Sequence, residues 1–203
     1  MENVLFKISF PAEFHAQTAV EAAMQLHPQV RDRLEEIESV TIETQEAGVR
    51  IIDKTGPLAN YADRDHCLQY MTAIPLIFGR LVATDYDDSV AADPRIDVLR
   101  AKMRVTENAE FTRNYYDLDK RYIGNAVQVT FKDGTQTERV AVETPIGHRE
   151  RRSEGVPLLV EKFRTSVAPK LAGERFAKLD ALCANAEQLA STPVDEFVSL
   201  LVA

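Results

Sequence analysis

The stretch "NAVQVTFKDGTQTERVAVETP", Asn125 to Pro145, commits this chain to a β-sheet. Val127, Val129 and Phe131 alternate with polar residues, Asp133-Gly134 supplies the turn, and Val140 and Val142 continue on the return arm. Alternation on both sides of an Asp-Gly pair predicts a β-hairpin, because each arm shows one apolar face and the pair accepts the positive φ a tight turn needs. A second strand is expected at "IESVTIET", where Val40 and Ile42 alternate with Ser39 and Thr41. A third is expected at "NVLFKISF", where Val4, Phe6 and Ile8 alternate with Leu5, Lys7 and Ser9. Helical spacing predicts one helix from about Phe14 to Leu26, stopped by Pro28, and another from about Ala62 to Val82, kinked or divided at Pro75. "DPRIDVLRAKM" is a third, with Asp93 as cap and Pro94 at the first helical position. "QEAGVRIID" stays open between strand and helical turn. The fold class is therefore α+β: a small mixed sheet with packed helices.

The character changes after Pro145. "IGHRERRSEG" reads as a basic, glycine-flanked loop, and from Val156 onward only helical patterns occur: "PLLVEKFRTSV", "AGERFAKLDALCANAEQL" and "PVDEFVSLLVA". The chain is expected to divide into an α+β part over residues 1–150 and an all-helical tail over 155–203. The tail is rich in apolar residues, among them Leu158, Phe163, Phe176, Leu179 and Phe197. Such faces need a partner surface. They could pack on the α+β part, self-associate, or belong against something absent from this chain.

Composition narrows the function classes. A length of 203 residues fits one large domain or two small ones. The net charge of -8 argues against nonspecific nucleic-acid binding. No run approaches the roughly 20 apolar residues of a membrane span. Glu2 and Lys7 interrupt the N-terminal apolar run in a way a signal peptide does not tolerate, and a cytoplasmic location is expected. Two cysteines, Cys67 and Cys183, far apart in sequence, are too few for a disulfide framework or an iron–sulfur cluster. No CxxC, HExxH, EF-hand loop, Walker A or GxGxxG is present.

Three constellations carry chemistry. Lys7, Glu13 and His15 surround "FKISFPAEFHAQ": a lysine suits a carboxylate and a histidine can move a proton near neutral pH. The plain reading makes Lys7 the polar member of a strand and His15 a helix-start residue. "GPLANYADRDHCLQYM", Gly56 to Met71, puts Asp63, Arg64, Asp65 and His66 at a helix start, where carboxylates meet the helix dipole favourably. A solvated cap is the plain reading. Against it, His66 shares a helical stripe with Tyr70, Ile74 and Phe78 and is expected to face inward. "GHRERR", with His148, Arg149, Arg151 and Arg152, is the densest basic patch of an acidic chain, and guanidinium forks suit carboxylates and phosphates.

In order and spacing, "FKISFPAEFHAQTAVEAA", "RIIDKTGPLANYADRDHCLQYM", "IPLIFGRL", "VTFKDGT" and "PIGHRERR...EGVPLLVEKF" resemble the C-terminal portion of the MmgE/PrpD family, over essentially the whole chain. The "GPLANYADRDHC" wording is similar to that of its dehydrating members. The resemblance implies a lid domain over residues 1–150, and a tail whose helices return to an N-terminal helical domain absent from this chain. It implies a cytoplasmic, metal-independent carbon–oxygen lyase without cofactor, a homodimer at full length. Its reaction removes water from 2-methylcitrate to give 2-methyl-cis-aconitate, in the methylcitrate cycle of propionate catabolism. Implied partners are the tricarboxylate substrate and the helical domain, not nucleic acid or membrane. Carried onto this sequence, the catalytic candidates are Lys7 and His15, with Glu13 competing for the histidine's place. Lys54, Arg64, His66, Tyr70, His148 and Arg149 are candidates for substrate binding. A tyrosine used by the family's decarboxylating branch falls near Ile52, so that role is absent here or passes to Tyr61 or Tyr70. The alternatives are another activity of the family, such as cis-aconitate decarboxylation, a non-catalytic polycarboxylate-binding module, or an oligomerisation domain driven by the tail. The isolated chain is expected to be inactive, holding only part of a shared site.

Overall fold

Ile37–Thr44 forms β1, and its β-branched residues make it the centre of the sheet: Ile37, Val40, Ile42 and Thr44 are all buried. A computed structural model describes residues 5–171 and 173–202 of the chain. The sheet has four strands in the order β2-β1-β3-β4. β2 (Met103–Glu107) runs parallel to β1, with Val40 opposite Met103. β3 (Asn125–Phe131) runs antiparallel on the other side, with Val40 opposite Val129 and Ile42 opposite Val127. β4 (Val140–Val142) completes the expected hairpin, Val127 facing Val140. Its turn has Gly134 at φ 82°, and the Phe131 N–H donates to Thr135 O at 2.8 Å.

Helices line the sheet. α1 (Gln17–Val30) packs against β3 and β4 and against α4 (Leu68–Phe78). Every residue of α4 except Phe78 is buried, which fits its nearly all-apolar sequence. Each large apolar side chain buried this way contributes about 1.5–3 kcal/mol. The crossover from β1 to β2 holds α2 (Glu46–Ile52), α3 (Tyr61–Asp65), α4, α5 (Asp88–Ala91) and α6 (Pro94–Arg100). α7 (Ala109–Tyr116) follows β2, with the Asn108 side chain accepting from the Glu110 and Phe111 N–H groups. α6 is capped as expected: the Asp93 carboxylate accepts from Arg95 N at 3.0 Å.

Several expectations are corrected. Residues 5–10 are not a strand; Val4 lies outside the described residues. The segment is tied instead by the Phe6 N–H donating to Gly147 O at 3.3 Å. Pro28 does not stop α1, which continues to Val30 because that residue is buried. The ambiguous "QEAGVRIID" is helical, as α2. The long helix expected from Ala62 to Val82 breaks at His66–Cys67 and ends at Phe78, while Pro75 sits inside α4. Cys67 is extended (φ -120°, ψ 109°), and its thiol donates to Lys54 O at 3.3 Å. "GHRERR" is not a loop: Arg149–Arg151 form a tight helical turn, and α8 (Arg152–Val167) begins directly after it. β2 and α7 had no counterpart in the sequence reading.

The chain divides into two compact units between Arg152 and Ser153. The apolar core, from Ala12 to Val140, belongs wholly to the first. The second holds most of α8, with α9 (Glu174–Cys183), α10 (Ala186–Ser191) and α11 (Val194–Ser199). There Leu179 and Leu182 are buried, while Val156, Leu158, Leu189, Val194, Val198 and Leu201 are exposed. No helix among the described residues is long and apolar enough to cross a membrane.

Candidate active site

The turn that opens α1 gathers the first candidates. Glu13 caps Phe14–Ala16, its carboxylate accepting from the His15 backbone N–H at 2.8 Å. The same carboxylate lies 2.8 and 3.0 Å from His15 Nδ1. The other ring nitrogen, Nε2, is 3.1 Å from the hydroxyl of Tyr115, which α7 brings in from 100 residues away. The result is a line of carboxylate, imidazole and phenol. It is mostly shielded, with the His15 and Glu13 side chains 13% and 16% exposed. Burial pushes the Glu13 carboxyl up, but the hydrogen bonds and charge of His15, helped by the charge of His66, outweigh it and hold it below the usual carboxylate range.

Buried polar residues fix the turn. Gln17 donates to Phe10 O at 2.9 Å and Ala12 O at 2.8 Å. Asn125, on β3, donates to His15 O at 2.7 Å and to Thr18 Oγ1 at 2.6 Å, and Thr18 donates to Ile123 O at 2.6 Å. Buried polar groups hold position strongly because leaving them unpaired is costly. The exposed Lys7 places Nζ 4.9 Å from the centre of the Phe14 ring, beside the same turn. His66 reaches this turn only through the weak pull of its charge on Glu13. It is not buried with Tyr70 as the stripe predicted. Its side chain is 54% exposed, with Nδ1 2.6 Å from Asp65. The stripe fails because the helix breaks between the two residues.

Lys54, Arg64 and Tyr70 form a second group. Lys54 Nζ lies 2.8 Å from Asp63, whose carboxyl is held below its ordinary value first by that hydrogen bond and then by the Ala59 N–H. Arg64 is the buried member of α3. It is 6% exposed and donates to Tyr86 O and Asp88 Oδ1, both at 2.6 Å. The Tyr70 hydroxyl donates to Asp85 O at 2.7 Å, and burial pushes it up to about 12. Nearby, a cavity of about 420 Å³ is lined by Lys54, Gln69, Asp97, Arg100 and the 55–57 segment. A polar cavity of about 280 Å³, sharing Asp97 and Arg100 with it, is lined by Arg64, Tyr70 and Asp88.

The basic patch does structural work. His148 is 2% exposed, with Nε2 2.9 Å from Lys120 O and Nδ1 accepting from the Glu150 N–H at 3.3 Å. Arg151 grips the Glu21 carboxylate with both terminal nitrogens at 2.9 Å. The Arg152 guanidinium lies 4.2 Å over the Phe6 ring. Arg149 is exposed on the turn. The structure thus places Lys7 and His15 at the same turn, leaves His66 exposed beside Asp65, pairs Lys54 with Asp63 and Arg64 with Asp88, and commits His148 to backbone partners.

Tyr115, Gln17, Thr18 and Asn125 were missed in the sequence. Only Gln17 and Thr18, polar residues at the first turn of an otherwise apolar helix face, left a signal there.

A family model described as the MmgE/PrpD C-terminal domain matches residues 10–186. The chain is similar to "2-methylcitrate dehydratase, mitochondrial" of Yarrowia lipolytica, at 54% identity over 100% of this chain and 39% of that protein. It is 53% identical to the 2-methylcitrate dehydratase of Cupriavidus necator over 98% of this chain and 42% of that protein. It is likewise 53% identical to the one of Escherichia coli K12, over 100% and 42%. The chain therefore spans about two fifths of the length of the curated relatives it matches. The chain belongs to the MmgE/PrpD family, as its C-terminal domain.

Proposed function

We propose that this chain is the lid and tail of a hydro-lyase that dehydrates 2-methylcitrate to 2-methyl-cis-aconitate in propionate catabolism. The names of relatives identical at more than half of their aligned positions support the substrate. The observation that carries the chemistry is the Glu13–His15 pair, fixed by buried partners beside Lys7. Removing water from a tricarboxylate requires a base for a proton α to a carboxylate, an acid for the departing hydroxyl, and cations for the carboxylates. Lys7 serves as a carboxylate anchor or proton-transfer group, His15 holds a proton in line, and His66 adds charge to the substrate's surroundings. Arg64 and Tyr70 position the lid from within, and Lys54 stands at the cavity mouth, paired with Asp63. The N-terminal part present in the longer relatives completes the site, receives the exposed tail residues, and forms the homodimer. The two free cysteines fit a reducing compartment, the cytoplasm in this reading.

The test measures absorbance of the conjugated product. The chain alone should give no turnover. Joined to the N-terminal part of the Escherichia coli enzyme it should give turnover that Lys7→Ala reduces at least about 100-fold. Robust turnover by the chain alone, abolished by Lys7→Ala, would overturn the shared site. Release of carbon dioxide from cis-aconitate by the fusion would shift the assignment to decarboxylation. The cavity lined by Lys54 and Arg100 favours one second reading, a polycarboxylate-binding module. Calorimetry with citrate on the isolated chain decides it, tight binding supporting the module.

A further inference from the structure

We propose that Tyr115 is the general acid that protonates the departing hydroxyl, and that His15 acts only through it. The inference rests on the dehydratase reading. Both ring nitrogens of His15 are engaged, Nδ1 by Glu13 at 2.8 Å and Nε2 by the Tyr115 hydroxyl at 3.1 Å. A proton therefore leaves His15 for a substrate by way of the phenol, or only after one of these bonds breaks.

Other tyrosines of the chain show why this partner matters. Tyr70 donates to a backbone carbonyl, and Tyr116 and Tyr122 donate to the carboxylates of Glu46 and Glu150. Carboxylates and carbonyls only accept, so those three phenols spend their own proton on the bond. Of these four hydroxyls, Tyr115 alone meets a nitrogen that can itself donate. With His15 doubly protonated, Nδ1–H on Glu13 and Nε2–H on Tyr115 Oη, the phenol accepts and keeps its own proton for a third group. The Tyr115 side chain is half-buried, unlike the enclosed Tyr70 and Tyr86. Its hydroxyl meets the same turn whose Phe14 ring carries Lys7 Nζ at 4.9 Å, a cation suited to the substrate's carboxylates.

The step balances. The C–H pair becomes the new C=C bond while a base keeps the α-proton, and the C–O pair leaves with the hydroxyl. Tyr115 Oη gives that hydroxyl its proton, and water departs. The phenolate takes the proton of His15 Nε2, and His15 is recharged from the base or from solvent.

The experiment uses the fusion described above. Tyr115→Phe should lower kcat for 2-methylcitrate at least about 100-fold, with KM changed less than about threefold. It should slow a substrate carrying fluoride in place of the departing hydroxyl less than about threefold, since fluoride leaves without a full proton transfer. Tyr116→Phe should leave both rates unchanged. Equal slowing of both substrates by Tyr115→Phe, or of neither, overturns the inference while leaving the dehydratase reading intact. No turnover by the unsubstituted fusion overturns the reading and the inference with it. Nitrogen NMR of His15 in the isolated chain is an independent check. Tyr115→Phe should shift the Nε2 resonance and Glu13→Gln the Nδ1 resonance; an unmoved Nε2 resonance overturns the inference.

Discussion

Arg64 and His66, at the end of α3, do not take the places their sequence suggests. His66 is expected inward from its spacing and Arg64 is a substrate-binding candidate from its charge, yet Arg64 is 6% exposed and His66 stands in solvent. The guanidinium's value lies in its buried bond to Tyr86 O, since Asp88 at its other end is 89% exposed and an exposed partner contributes little. Arg64→Ala should therefore destabilise the chain by about 2–3 kcal/mol, and Asp88→Asn by less than about 0.5, in urea unfolding. Tyr70 gives a pH signature. Its phenol ionises at its ordinary value of 10.0 in the unfolded chain and is pushed up to about 12 in the folded one by burial. Below pH 10 both states keep the proton and stability is unaffected. Between 10 and 12 the unfolded chain releases it first, so stability falls as pH rises, by about 2 kcal/mol across the window. The buried Tyr86, pushed up further still, adds a fall of the same sign, so unfolding between pH 8 and 11.5 should show a fall that Tyr70→Phe reduces without abolishing. Lys7 and His15 could be nominated from the sequence because lysine and histidine announce their chemistry. Tyr115 could not, because its meaning comes from a contact with a residue 100 positions away.

At the scale of elements, what is decided locally was legible. β1, the hairpin and the Asp93-Pro94 start of α6 follow from alternation, an Asp-Gly turn and a side-chain cap. What tertiary contacts decide was not. α3 and α4 read as one helix until Cys67 and Gln69 bind the backbone of Lys54 and break it. β2 is five residues long with only Met103 buried, too short and too polar to show a pattern. Residues 5–10 alternate like a strand but dock on the backbone at Gly147 rather than on a strand edge. A Cβ at Gly147 would fall 1.7 Å from Phe6 O, and backbone cannot move aside as a flexible side chain can. Gly147→Ala should cost about 1–3 kcal/mol and loosen the segment that carries Lys7. Hydrogen exchange at the Phe6 amide checks it, and unchanged protection there would show that the segment is held by other contacts.

For the whole molecule, the apolar core lies within the first unit. A chain ending at Arg152 should keep a cooperative thermal transition within about 5 °C of the full chain, the shift expected from roughly 1 kcal/mol. Circular dichroism checks this; a lost transition would show that the helices after Ser153 are needed for folding. The order β2-β1-β3-β4 also sets a clock for synthesis. β1 is the first of the described strands to be made, yet its partners begin at Met103 and Asn125. At about 5–20 residues per second a ribosome needs roughly 4–16 s to travel from Thr44 to Asn125. Both edges of β1 lack a partner until Met103 is made, and the edge that β3 covers stays open for the whole of that time, the state in which strands find the wrong neighbour. Synthesis speed between these points should therefore govern how much of the protein is recovered folded rather than aggregated.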